Sequence, residues 1–98
     1  MKRERLMQVW ERVERELREA LVILDRAVPA RADRWADARD FVEHNEFGVA
    51  FDIIVDVLLE AEPPDDGRQA LLHLERVHAE WGRVDDEDGW QMLRQRLS

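Results

Sequence analysis

Apolar residues recur at intervals of three and four along the first 28 residues. Leu6, Val9, Trp10, Val13, Leu17, Ala20, Leu21, Leu24, Ala27 and Val28 form the series, with Glu and Arg between them. That spacing predicts an amphipathic helix of six or seven turns. Its polar face carries Glu11–Arg15 and Glu14–Arg18, pairs in the acid-first i,i+4 order that favours a helix slightly. Seven basic and six acidic residues fall before Pro29, so this face is nearly neutral and reads as solvated surface.

Pro29 ends the first helix or opens the next, since it lacks an N–H and restricts Val28. A second helix follows, with Trp35, Ala38, Phe41 and Val42 on one stripe, and it is expected to close near His44 with Asn45 as a left-handed cap. A third helix starts near Glu46, an acid suited to the positive end of the helix dipole. Phe47, Ala50, Phe51, Ile54, Leu58 and Ala61 form its buried stripe, and Val49, Ile53 and Val57 widen it. Pro63-Pro64-Asp65-Asp66-Gly67 breaks the pattern. The fourth helix is expected over Arg68 to Trp81 with Leu71, Leu74, Val77, His78 and Trp81 inward, and Gly82 stops it. Asp85-Asp86-Glu87-Asp88 then loads the start of a short last helix packed by Trp90, Leu93 and Leu97. All four tryptophans (Trp10, Trp35, Trp81 and Trp90) fall on inward stripes. No segment has the period-two alternation of a strand. The expected fold is all-α, one domain over residues 1–98, a compact bundle of four to five helices.

Charge changes this picture. From Asp40 through Gly67 there is no Lys or Arg, yet nine carboxylates occur there. The chain carries −8 in total, so the remaining residues sum to +1. Asp52, Asp56 and Glu60, at i, i+4 and i+8, make one acidic line on the third helix. A pI near 4.8 argues against direct nucleic-acid binding, which needs clustered Lys and Arg. The N-terminus lacks the apolar run of a signal peptide, and no stretch nears the ~18 apolar residues that span a bilayer, so a cytoplasmic protein without a membrane partner is expected.

Candidate chemistry is sparse. With no Cys, Thr or Tyr, and Ser98 as the sole serine, serine and cysteine triads are excluded. Glu43 and Glu46 make an ExxE pair and Glu62 and Asp65 an ExxD pair, formally similar to the Mg²⁺ carboxylates of all-α nucleotide pyrophosphohydrolases. Pro63 and Pro64 break the helix that the second pair would need. His73 and His78, five apart, lie on different helix faces. His78 reads as a core-edge histidine and His44 as a turn residue, so neither a metal nor a cofactor is expected. The acidic surface remains: Glu43, Glu46, Asp52, Asp56, Glu60, Asp65 and Asp66 beside the apolar Val49 and Ile53. Such a surface suits a protein partner with a basic cleft, the charges steering the encounter and the apolar residues anchoring it.

The stretch Phe41-Val-Glu-His-Asn-Glu-Phe-Gly-Val-Ala-Phe-Asp52, continued by an apolar helix that ends in acids, resembles the hallmark of MafI-type immunity proteins of bacterial polymorphic toxin systems. Glu43, His44, Glu46, Phe47, Gly48, Ala50 and Asp52 occupy matching places; Asn45 stands where Gly is common and Asp52 where Glu is common. The resemblance covers residues 35 to 97, and the first helix carries no signature. It implies a small intracellular all-α protein that neutralises one cognate toxin, often a nuclease, as a stoichiometric inhibitor and not an enzyme. Gly48 and Ala50 then serve helix packing and Glu46 serves capping, while Asp52, Asp56, Glu60, Asp65 and Asp66 are the expected contacts. A Mg²⁺-dependent nucleotide hydrolase and a helical adaptor relying on Val49 and Ile53 are the alternatives. The free protein is expected to be a monomer or a weak homodimer joined through the third helix.

Overall fold

The apolar spacing of the first 28 residues becomes one long helix, α1 (Lys2–Ala27), in the computed structural model, which describes the backbone of residues 2–61, 67–82 and 84–97 and the side chains of 5–61, 67–82 and 84–96. Pro29 occupies the first position of a single 3-10 turn (Pro29–Arg31) leading into α2 (Ala32–Glu43). Trp35 locks this corner, its indole Nε1 donating to the Val28 carbonyl at 3.0 Å from a fully buried ring.

The turn between α2 and α3 (Phe47–Glu60) is a Schellman closure built on Asn45, whose φ is +60°. Asn45 N–H donates to the Val42 carbonyl at 3.0 Å and Glu46 N–H to the Phe41 carbonyl at 2.8 Å. The Glu46 carbonyl then accepts the Ala50 N–H at 3.1 Å, so one residue ends a helix with its donor and begins the next with its acceptor. The capping expected of Glu46 is therefore done by its backbone. Its side chain makes no cap hydrogen bond.

α4 (Arg68–Trp81) closes on Gly82, whose φ of +63° places it in the left-handed region that glycine tolerates. Asp86 caps α5 (Glu87–Leu97), its Oδ1 accepting the Gly89 N–H at 2.9 Å. Among the described residues there is no strand, and the five helices make the expected all-α bundle. No helix of the described residues is long and apolar enough to cross a membrane.

α1 packs on α4 and α2 on α3, and α3 also meets α5. Arg12 pairs with Glu80 and Glu16 with His73, so numbers rise along α1 as they fall along α4: the two helices are antiparallel. Asp52 meets Asp85 and Leu59 meets Arg96, so α3 and α5 run parallel. The core runs from Val13, Leu17, Leu21 and Leu24 through Trp35 and Val42 to Phe51, Ile54, Leu58, Leu74, Trp90 and Leu93, all buried.

Several side chains depart from the expected stripes. Leu6 and Trp10 are exposed, because α1 at ~1.5 Å per residue is ~39 Å long and α4 only ~21 Å, which leaves the first turns of α1 without a neighbour. Trp81 and Ala61 are half-buried. Conversely Val55 is fully buried, since α3 is enclosed by α2 and α5 together. The Leu97 side chain and residues 63–66 of the break predicted over 63–67 lie outside what is described, while Gly67 is buried and immediately precedes α4.

Candidate functional site

The acidic surface begins at the α2–α3 turn. The Schellman closure turns the chain within two residues, and Glu43, His44, Asn45 and Glu46 all stand exposed on it. His44 is tied down locally, its Nδ1 lying 2.7 Å from the Asp40 carbonyl oxygen. Glu43 ends α2 while Glu46 precedes α3, so the ExxE pair straddles a turn; its ExxD counterpart, Glu62 and Asp65, lies outside the described residues.

Seven residues of α3 are not fully buried, and apart from the half-buried Gly48 and Leu59 they trace one strip: Val49, Asp52, Ile53, Asp56 and Glu60. They follow the three-and-four spacing that leaves one face of a helix outward. Asp56 is exposed, and of the three residues expected to widen the buried stripe only Val57 is buried, whereas Ile53 is half-buried against the core and Val49 is exposed. Two apolar side chains therefore remain accessible along the acidic line.

Asp52 holds the surface together. Its Oδ2 accepts the backbone N–H of Asp85 at 3.3 Å, and the Asp86 backbone also donates to it. Its other oxygen, Oδ1, is buried without a hydrogen-bond partner. Burial raises its carboxyl above the usual aspartate value, and the neighbouring Asp85 and Asp86 charges push the same way, against the two backbone donors. Through this contact the segment after α4 lies against α3 and adds the exposed Asp85 and Asp86 to the surface. Sequence reasoning assigned these two acids only to the start of α5. What brings them to α3 is the parallel packing of α5, fixed by Trp90 with its ring 5.1 Å from that of Phe51.

His78 secures the same junction. Its ring stacks on Trp90 at 5.3 Å, and its Nε2 lies 2.7 and 3.0 Å from the two oxygens of Glu87. That hydrogen bond, helped by Gln91, holds the Glu87 carboxyl below its ordinary value. The expected core-edge role of His78 fits this arrangement.

The far end of α3 is different. Glu60 comes within 3.9 Å of the Arg31 guanidinium, and Arg96 donates to the Leu59 carbonyl at 2.5 Å. A segment without Lys or Arg along the chain thus receives basic neighbours in space. The structure brings together Asp52, Asp56, Val49 and Ile53 with Asp85 and Asp86; it sets Glu60 at a mixed-charge end, and Asp65 and Asp66 lie outside the described residues. Glu43 and Glu46 flank the strip at its N-terminal end.

Another group converges on the opposite pair of helices: Glu16 and Glu19 of α1 meet His73 of α4, with all three ligand-capable atoms within 4.8 Å of one another. The i,i+3 spacing of the two glutamates is visible in the sequence, but their pairing with His73 depends on the α1–α4 register. Comparison with known proteins gave no matching family model, no matching curated protein and no matching solved structure.

Proposed function

We propose that this chain is an immunity protein: a non-enzymatic, cytoplasmic inhibitor that binds one cognate toxin, a nuclease with a basic substrate cleft, and holds it inactive. The observation that carries the reading is the gathering of Asp52, Asp56, Asp85 and Asp86 from two separate segments beside the accessible Val49 and Ile53. The sequence resemblance to MafI-type immunity proteins over residues 35 to 97 supports the same assignment.

The physics is that of an electrostatically steered protein complex. A cleft that binds phosphates is lined by Lys and Arg, and a surface of carboxylates competes for it by presenting the same charge. A standard interface covers ~800 Å² on each partner. That is about one-eighth of the 6330 Å² accessible surface here. Val49 and Ile53 supply the apolar contact that keeps the complex closed. The enclosure of α3 by α2 and α5 leaves little of it for self-association, which supports a free monomer or at most a weak dimer.

The test is association with the purified product of the gene immediately upstream. Fields between exposed charges are screened over ~8 Å at physiological salt and ~3 Å at 1 M, so the association rate should fall steeply as salt is added. An adaptor that docks on Val49 and Ile53 gives the opposite signature: a rate indifferent to salt, and loss of binding on Val49→Asp alone.

A further inference from the structure

The α1–α4 interface places an imidazole against two carboxylates at the edge of a cleft. His73 Nδ1 lies 2.5 Å from Glu16 Oε2 and 3.4 Å from Glu19 Oε2. The His73 and Glu16 side chains are each more than four-fifths shielded from solvent, whereas Glu19 is half exposed. Arg76, one turn beyond His73 on α4, sets Nη1 3.6 Å from the same Glu16 oxygen. Three ligand-capable side chains from two rigid helices thus point at one place, with a guanidinium behind one of them.

We propose that Glu16, Glu19 and His73 bind a single divalent transition-metal ion of the Zn²⁺ type, independently of the acidic surface on α3. A tetrahedral ion held at ~2.1 Å needs its ligand atoms ~3.4 Å apart. The His73–Glu19 separation already meets that spacing. The His73–Glu16 separation must open by roughly 0.9 Å to reach the same spacing, a movement within reach of a glutamate side chain. His73 coordinates through Nδ1, the atom that now faces both carboxylates. Arg76 then serves as an outer partner that orients the Glu16 carboxylate, the arrangement usual around carboxylate ligands. One imidazole with two carboxylates favours a borderline ion over Mg²⁺ or Ca²⁺, which take oxygen ligands alone. The remaining coordination position opens on a cleft of about 530 Å³ lined in part by Glu19, His73, Val22 and Ile23, which leaves room for water. Three protein ligands and one position left to water is the pattern of an open zinc site and not of a closed structural one.

The experiment is calorimetric titration of chelator-treated full-length protein with ZnCl₂, followed by the same titration of His73→Gln and Glu19→Gln. The expected result is one ion per chain in the wild type and a Tm that rises with Zn²⁺. Excess Mg²⁺ should not displace the ion. Loss of a direct ligand should weaken binding by more than the ~10–100-fold that changes in outer partners cause. Glu19 is exposed enough that Glu19→Gln leaves the fold intact, which keeps the test decisive if His73→Gln is destabilised. Cobalt substitution supplies a second readout, since Co²⁺ bound to His73 gives a visible absorption band that His73→Gln abolishes. No binding by the wild type, or binding that Glu19→Gln leaves unchanged, overturns the proposal; in the latter case the ion sits on surface carboxylates elsewhere.

Discussion

Trp90 is the residue on which the geometry of the acidic surface most depends, because it fixes α5 against α3. Its side chain is 1% exposed, between Phe51 and His78. Burying ~200 Å² of tryptophan at about 25 cal/mol per Å² stabilises the fold by ~5 kcal/mol. Compactness of the unfolded chain lowers that by roughly 10–40%, to ~3–4.5 kcal/mol. The two ring contacts, at 5.1 and 5.3 Å, add ~0.5–1.5 kcal/mol each. Against this, the buried Nε1–H has no hydrogen-bond partner, which costs ~1–3 kcal/mol. The balance puts Trp90→Ala at ~4 kcal/mol of lost stability, a large share of the ~5–15 kcal/mol of a small domain. Trp90→Phe should behave differently. It keeps a ring between Phe51 and His78 and removes the orphaned donor, so it should stay within about 1 kcal/mol of the wild type. Urea unfolding followed by far-ultraviolet circular dichroism measures both variants without relying on the indole. Amide exchange in α5 should accelerate in Trp90→Ala before the other helices open. A cost below about 1 kcal/mol for Trp90→Ala contradicts this role of the indole, as does a Trp90→Phe cost equal to that of Trp90→Ala, which would mean that the indole N–H is satisfied and matters.

Two further outcomes follow from local geometry. Gly82 has nothing near its missing Cβ but holds φ at +63°, so Gly82→Ala should lose ~1–2 kcal/mol purely from backbone strain, read from the urea midpoint; a neutral result contradicts the left-handed cap. Burial raises the Asp52 carboxyl in the folded state, so its ionisation there works against folding. Asp52→Asn, which keeps an acceptor for the Asp85 N–H, should therefore raise Tm at neutral pH, with the gain fading as pH falls through the raised folded value and absent below the ~3.9 of an unfolded aspartate. A variant less stable than the wild type at neutral pH would show that the backbone hydrogen bonds outweigh burial.

Features set by neighbours along the chain were legible in the sequence. Asn45 and Gly82 were expected to end helices, and both adopt the left-handed conformation those ends require. The stripe on α3 and the bounds of α4 follow from three-and-four spacing and from the breaks that flank them. Features set by one helix against another were not legible. Trp10 shares the periodicity of Val13 and Leu17, and nothing in that periodicity reveals that α4 is too short to cover it. Glu60 belongs to a segment without Lys or Arg, yet Arg31 reaches it across the fold. Asp85 and Asp86 read as an ordinary helix start until α5 lies parallel to α3, and Glu16 and His73, 57 positions apart, meet only through the α1–α4 register. The candidate surface was thus half visible: its α3 strip was apparent, and its second segment was not.

The role proposed for the carboxylates of α3 and of the segment before α5 is to neutralise a toxin. Growth of cells expressing the product of the gene immediately upstream tests it most directly, with this chain supplied as wild type, as Asp56→Lys/Asp85→Lys, or not at all. Asp56 and Asp85 are both exposed, so the double variant should keep the helical content and Tm of the parent. The expected outcome is arrest without the chain, full growth with the wild type, and arrest again with the folded double variant. Full growth with the double variant, or an upstream product that harms no cell and binds no copy of this chain, would contradict it.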